Sequence, residues 1–193
     1  MEMETYKRRK GPAADTDWIR LDSRAGPDLP LFDLRFDRLR NPRNDAELDR
    51  LVLASVDWVN LVAIDDHERC IMIRQYRFGV GYSTLETPGG MVDPGETPRQ
   101  AAERELLEET GYGGGDWRYL GAVEPNPAIH DHLCHHYLAM GVERVAEPEP
   151  GDGEYIDVLG MTREAVIDAA RRGEIRHALA LSALARVYPI WPA

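Results

Sequence analysis

Phe32, Leu34 and Phe36 alternate with Asp33, Arg35 and Asp37, and this period of two predicts a half-buried strand. The segment Asn41 to Asn44 carries a proline and two asparagines and reads as a turn. Leu51 to Trp58 and Val59 to Ile64 are strand-like runs. Asp65-Asp66-His67 is expected to turn the chain back into a strand over Cys70 to Tyr76. Further strands are expected over Trp117 to Val123, Leu133 to Val142 and Tyr155 to Leu159.

Three segments read as helices. Thr97 to Thr110 has signals at both ends: Thr97 as N-cap, Pro98 at the first helical position, Gln100 completing a capping box, and Gly111 as a left-handed terminator. Thr162 to Arg172 starts with a threonine cap and Glu164 in its first turn, and Arg176 to Tyr188 stops at Pro189. Strands at the front and middle with helices in the middle and at the end predict an α/β or α+β fold: a mixed sheet between helices, with an N-terminal β extension. The expected divisions are a polar tail over 1–16, a β segment over 17–58 and a main domain over 59–193.

Composition narrows the class. The 193 residues carry 23 Lys+Arg against 34 Asp+Glu, a net charge of −11, which disfavours general nucleic-acid binding. The basic run Lys7 to Lys10 lies in the polar start and is expected to be a solvated tail. No stretch approaches the roughly 20 apolar residues of a membrane span, and the start has no apolar signal region. Cys70 and Cys134 are the only cysteines, and reduced thiols in a cytoplasmic setting are expected. His130, His132, His135 and His136 invite a zinc reading, but the last two are adjacent on a predicted strand and point to opposite faces. Packing, or a place at the rim of a site, is the expected role of these histidines.

The chemistry concentrates in Glu86 to Tyr112, ETPGGMVDPGETPRQAAERELLEETGY. Its glycines and prolines make a tight loop ahead of the predicted helix. Residues three or four apart share a helix face, so Arg99 can pair with Glu103 and Arg104 with Glu108, leaving Glu105 and Glu109 facing each other. Charge pattern alone permits two readings: a wet acidic surface, or a site for a hard divalent cation with phosphate oxygens as co-ligands.

Gly90, Glu96, Arg104-Glu105-Leu106, Glu108-Glu109 and Gly111-Tyr112 stand at the spacing of the 23-residue signature of the Nudix hydrolases. The segment resembles that family at every fixed polar and glycine position, and Tyr112 meets the apolar last position loosely. The resemblance implies a Nudix fold and Mg²⁺- or Mn²⁺-dependent hydrolysis of a nucleoside diphosphate linked to another moiety. Carried over by position, Glu105, Glu108 and Glu109 would hold the metal, and the carbonyl of Gly89 can add a ligand. Glu96 would orient the helix or sit in an outer shell, and Arg104 would fix the carboxylates.

Features outside the signature resemble the ADP-ribose pyrophosphatase-like group: Ile73 to Arg77 (IRQYR), the following LETPGG, and Pro127 fifteen residues beyond Tyr112. Gly89 in place of the usual alanine, and PNPAI in place of the commoner loop, depart from that group. By the resemblance Arg77 would bind phosphate, Glu86 would contact ribose or its surroundings, and Glu154 would be the loop glutamate that activates water, with Glu147 and Glu149 as alternatives. Glu105 could orient the water instead. Trp18, Trp58, Tyr76, Phe78 and Tyr82 are the candidates for stacking on a base. The expected partners are a nucleotide-sugar substrate and a second copy of the chain, since such N-terminal segments form homodimers in this group. Two other readings remain: a GDP-mannose-type hydrolase, and a Nudix-like module that binds a nucleotide sugar without cleaving it.

Overall fold

The computed structural model describes residues 17–151, 153 and 155–191. Glu154 and the run Lys7 to Lys10 lie outside the described residues. The chain divides into two compact units, one built from residues 17–56 and 124–133, the other from 57–123 and 134–191.

The smaller unit is a three-stranded antiparallel sheet in the order β1-β2-β3, made of β1 (Ile19–Asp28), β2 (Asp33–Arg40) and β3 (Glu47–Ala54). The alternation at 32–37 becomes β2, the central strand. β1 was not legible, because Gly26 and Pro27 interrupt its pattern. Asp37 is buried on β2, where it accepts a hydrogen bond from Ser23 Oγ (2.7 Å) and pairs with Arg35 (3.2 Å). Its burial raises the carboxyl pKa, and these partners outweigh that and hold it below the ordinary value. The turn after Asn41 forms as expected, closed by Ala46 O accepting from Asn41 N–H at 2.9 Å.

The larger unit follows as β4 (Trp58–Asp65), β5 (Cys70–Arg77), β6 (Tyr82–Glu86), α1 (Pro98–Thr110), β7 (Tyr112–Gly113), β8 (Asp116–Val123), β9 (Cys134–Arg144), β10 (Ile156–Met161), α2 (Arg163–Arg171) and α3 (Ala178–Ala185). Its sheet is mixed. The order is β10-β5-β4-β9-β7, with β6 on β5 and β8 on β9, and β4–β9 is the parallel pair. β4 reads as a continuous apolar run because both its faces are covered. Val59, Leu61 and Ala63 pack with Ala101, Ala102 and Leu106 of α1, while Val62 packs with Val166, Ala180 and Leu184 of α2 and α3. Leu106 is fully buried, and truncating it to alanine would cost about 2–5 kcal/mol. α3 is shorter than the sequence suggests, starting after His177 and ending at Ala185. β6 and the two-residue β7 were missed, being too short to show a period.

Cys70 and Cys134 are free and buried, and burial pushes both thiols up to about 12. His135 and His136 do face opposite ways. His135 meets Asp57 (3.2 Å) and Tyr119 (3.0 Å), and His136 meets Ser182 (3.0 Å). No helix among the described residues is long and apolar enough to cross a membrane.

Candidate active site

The site begins where two strands part. β5 pairs with β4 only at residues 70–71, then pairs with β6 from Ile73 onward. The first half of β4 is therefore open on that edge, and residues 88–90 fill it. Val59 N–H donates to Gly90 O (2.8 Å) and Leu61 N–H to Pro88 O (3.0 Å). Asn60, also buried, clamps the same loop: its Nδ2 donates to the carbonyls of Thr87 and Pro88 (3.2 Å each), and its Oδ1 accepts from Thr87 Oγ1 (2.6 Å). With the carbonyls of 88 and 90 spent on β4, extended-chain alternation turns the Gly89 carbonyl the other way. Among the described residues it accepts no hydrogen bond. Both glycines stand at close approaches. A Cβ on Gly89 would strike the carbonyl of Val59, and one on Gly90 would strike the carboxylate of Glu105.

Helix α1 presents the acids. Its capping box forms as the sequence implies, with Thr97 N–H donating to Gln100 Oε1 at 2.9 Å and Gln100 N–H to Thr97 Oγ1 at 3.3 Å. Gly111 closes the helix at φ 74°, and its N–H donates to Leu107 O. Arg99 pairs with Glu103 (2.7 Å). Arg104 does more than pair with Glu108. Its fork donates to Glu96 (2.9 Å), Glu105 (2.9 Å), Glu108 (3.0 Å) and the carbonyl of Met91 (2.9 Å). Glu105 is thus not left over, as the charge pattern suggested, since a guanidinium has five donors and reaches several acceptors at once. Nor does Glu109 simply face Glu105. It is buried and accepts from Gly89 N–H at 2.9 Å, across 20 residues. The Arg104 bond holds the Glu96 carboxyl below its ordinary pKa.

The loop after β9 lies against the C-terminal end of α1. Val145 and Ala146 N–H groups donate to Gly111 O (2.9 and 3.1 Å), and Glu149 N–H donates to Glu108 O (2.8 Å). A Cβ on Gly111 would meet the carbonyl of Ala146, which adds a packing reason for glycine at that position. Glu147 pairs with Arg144 (2.7 Å) on the surface.

A cleft of about 470 Å³ lies beside the loop, with Gly89, Gly90 and Met91 along one side. Trp58 and Tyr82 line it, which separates them from the other stacking candidates. Tyr76 and Phe78 instead meet edge to face, with ring centroids 5.5 Å apart. Trp18 and Pro127 belong to the smaller unit, where Pro127 is exposed and opens a turn held by Asn126 O. Arg77 and Glu86 both line the cleft and form a two-pronged pair, Nε to Oε1 at 2.9 Å and Nη2 to Oε2 at 2.8 Å. The Glu86 side chain has no exposure. Desolvation pushes its pKa up, but Arg77 and a hydrogen bond from Thr84 overcome this and hold it below the ordinary value.

The NUDIX domain family matches residues 55–182, a span that contains the loop, the acidic helix and the cleft. The chain belongs to the NUDIX family. It is 33% identical over 83% of its length to an ADP-ribose pyrophosphatase of Mycobacterium tuberculosis, covering 78% of that protein. It is 27% identical over 75% of its length to an ADP-ribose pyrophosphatase of Bacillus subtilis, again covering 78% of the relative. A crystal structure of an ADP compounds hydrolase superposes with a TM-score of 0.77 at 25% identity, over 88% of this chain and 91% of that one. The protein is a Nudix hydrolase, and its mixed α+β architecture is the Nudix fold.

Within this Nudix box the residues fit a hard divalent cation. Three carboxylates lie at i, i+3 and i+4 on one helix, and a backbone carbonyl without a donor lies in the adjoining loop. The acids are not already drawn together as a ready metal cluster among the described residues. Arg104 occupies Glu105 and Glu108, and Glu109 is turned to Gly89 N–H. Sequence reading missed Asn60, Thr84, Arg176 and His177 as neighbours of the site. They come from β4, β6 and the start of α3, and nothing in the local pattern ties those segments to the box.

Proposed function

We propose that this Nudix hydrolase cleaves the pyrophosphate bond of ADP-ribose or a closely related nucleoside diphosphate sugar, giving a nucleoside monophosphate and a sugar phosphate. One observation carries the reading: the walls of the cleft join two aromatic side chains, Trp58 and Tyr82, and an arginine, Arg77, to the glycine loop that touches Glu105 and Glu109. The two ADP-ribose pyrophosphatases and the ADP compounds hydrolase that the chain resembles support the same substrate class.

Glu105, Glu108, Glu109 and the Gly89 carbonyl are the proposed holders of Mg²⁺, with Mn²⁺ as a substitute. When bound, such an ion neutralises phosphate oxygens and makes water a stronger nucleophile. Arg104 and Glu96 keep the carboxylates in register beneath the loop. Arg77 supplies positive charge toward the diphosphate, and Glu86 holds Arg77 in place. Glu154 is the proposed general base, two residues ahead of β10 in the sequence. The proposed partner is a second copy of the chain. The smaller unit exposes Trp18, Ile19, Leu21 and Leu51 on or beside its sheet, and a sheet edge pairs readily with another chain. Buried, unpaired thiols fit a cytoplasmic location.

A substrate panel in Mg²⁺ tests this: ADP-ribose, GDP-mannose, UDP-glucose, NADH, diadenosine polyphosphates and dGTP. AMP released preferentially from ADP-ribose is the expected result. Preference for GDP-mannose moves the substrate, and turnover of no diphosphate sugar overturns the reading. Light scattering in solution checks the dimer.

A further inference from the structure

His177 stands at the N-cap of α3, yet its side chain makes no capping hydrogen bond. Ser, Thr, Asp and Asn are favoured there because their short side chains cap the helix. The imidazole instead lines the cleft. Its Nδ1 is buried 3.1 Å from Glu86 Oε2, off the line of an ideal hydrogen bond. Its Nε2 is the ring nitrogen left accessible, on a side chain about one-third exposed.

The charges around the ring settle its tautomer. Glu86 is ionised and Arg77 grips both its oxygens. A nitrogen lone pair 3.1 Å from that buried carboxylate would be repelled, which favours the proton on Nδ1. Burial lowers the imidazole pKa, and Arg77 lowers it further against the pull of Glu86, so the ring is neutral near pH 7. Nε2 then carries the lone pair, on a ring that lines the cleft and is about one-third exposed. The arginines that line the same cleft, Arg77 and Arg176, can only donate.

We infer that His177 is a specificity-determining residue whose Nε2 accepts a hydrogen bond from a sugar hydroxyl of the substrate. The doubly esterified diphosphate of such a substrate has acceptors but no donor at neutral pH, so this nitrogen cannot recognise it. A ribose or hexose has donors. The inference rests on the nucleoside diphosphate sugar reading above, and it assigns the sugar an anchor apart from the metal-holding acids.

The test compares wild type with His177→Asn and His177→Gln. Asparagine keeps an amide near the Nδ1 position and removes the acceptor, and glutamine restores a polar atom near Nε2. KM and kcat for ADP-ribose are measured, with Ki for ADP and for inorganic pyrophosphate. In H177N the KM is expected to rise about tenfold, the worth of one lost hydrogen bond. The kcat should stay within about twofold, the pyrophosphate Ki should not move, and H177Q should recover most of the affinity. An unchanged ADP Ki places the hydroxyl on the distal sugar. An ADP Ki that rises with KM places the donor on the nucleoside half of the substrate. An unchanged KM in H177N, or a pyrophosphate Ki that moves with it, overturns the inference. Calorimetric binding of the same ligands reads the same contrast without turnover. Absent turnover alone therefore sinks the enzymatic reading, and equal affinities in wild type and H177N sink this one.

Discussion

Gly90 lies so close to Glu105 that a Cβ on it would fall 2.8 Å from Oε2 and nearer still to the rest of the carboxylate. The obstacle is the tip of a flexible side chain, so Gly90→Ala should fold and displace Glu105. Turnover in Mg²⁺ should fall at least about tenfold, with the melting temperature nearly unchanged. Gly89→Ala meets backbone at Val59 and Asn60 instead. It should lose stability as well, by about 1–3 kcal/mol. Thermal melts beside kcat separate the two, and equal effects would undo the distinction.

Glu105→Gln and Glu109→Gln should each lower kcat by about 100-fold or more, since a metal supplies several kcal/mol of charge stabilisation in such reactions. Chelation should abolish wild-type activity and added Mg²⁺ should restore it. A variant with near-normal turnover would remove that glutamate from the metal site.

Arg77 neutralises a carboxylate with no solvent exposure. Removing one partner of such a pair costs about 3–5 kcal/mol. Arg77 is itself about one-third exposed, so Arg77→Met should lie near 3 kcal/mol. The sign with pH follows from the depressed pKa of Glu86. The stability it contributes is full above the unfolded value, near 4.5, and is lost as pH falls through the folded value. Urea denaturation across pH 3–7 should show a smaller loss of stability on acidification in R77M than in wild type, because Glu86 has lost the partner that most lowers its folded pKa. Equal losses would contradict this.

Asn60→Ala removes three hydrogen bonds from the loop that ends in the box glycines. Buried groups left unsatisfied cost about 1–3 kcal/mol. The loop should also shift, so kcat should fall more than KM rises. A loss of stability with unchanged kcat would limit Asn60 to a structural role.

Glu154→Gln should lower kcat by about 10²–10⁴ while KM holds, as expected for loss of a general base. Glu149→Gln is the control, because the backbone of Glu149 is bonded to Glu108. If Glu149→Gln carries the larger loss, the base is Glu149.

Much of the larger unit was legible because its signals are local. Thr97, Pro98, Gln100 and Gly111 bound α1 through contacts within a turn of each other, and β4, β5 and β9 declare themselves as apolar runs. The smaller unit was legible only at β2 and β3. β1 has no steady alternation, since Gly26 and Pro27 break it. The same locality explains the error at the acids. Helical spacing pairs Arg104 with Glu108, but it cannot show that the fork also spans eight residues back to Glu96 and sideways to Glu105.

By itself the sequence determined the family and the acidic helix with its caps, because spacing along a chain sets which groups share a turn or a face. Tertiary structure decided how those groups are used. The parting of β5 from β4 opens the edge that residues 88–90 fill, Gly89 reaches Glu109, and the start of α3 sets His177 beside Glu86. These contacts join segments 20 to 91 residues apart, and their physical basis is the pairing of buried donors, acceptors and charges once the sheet has brought the segments together.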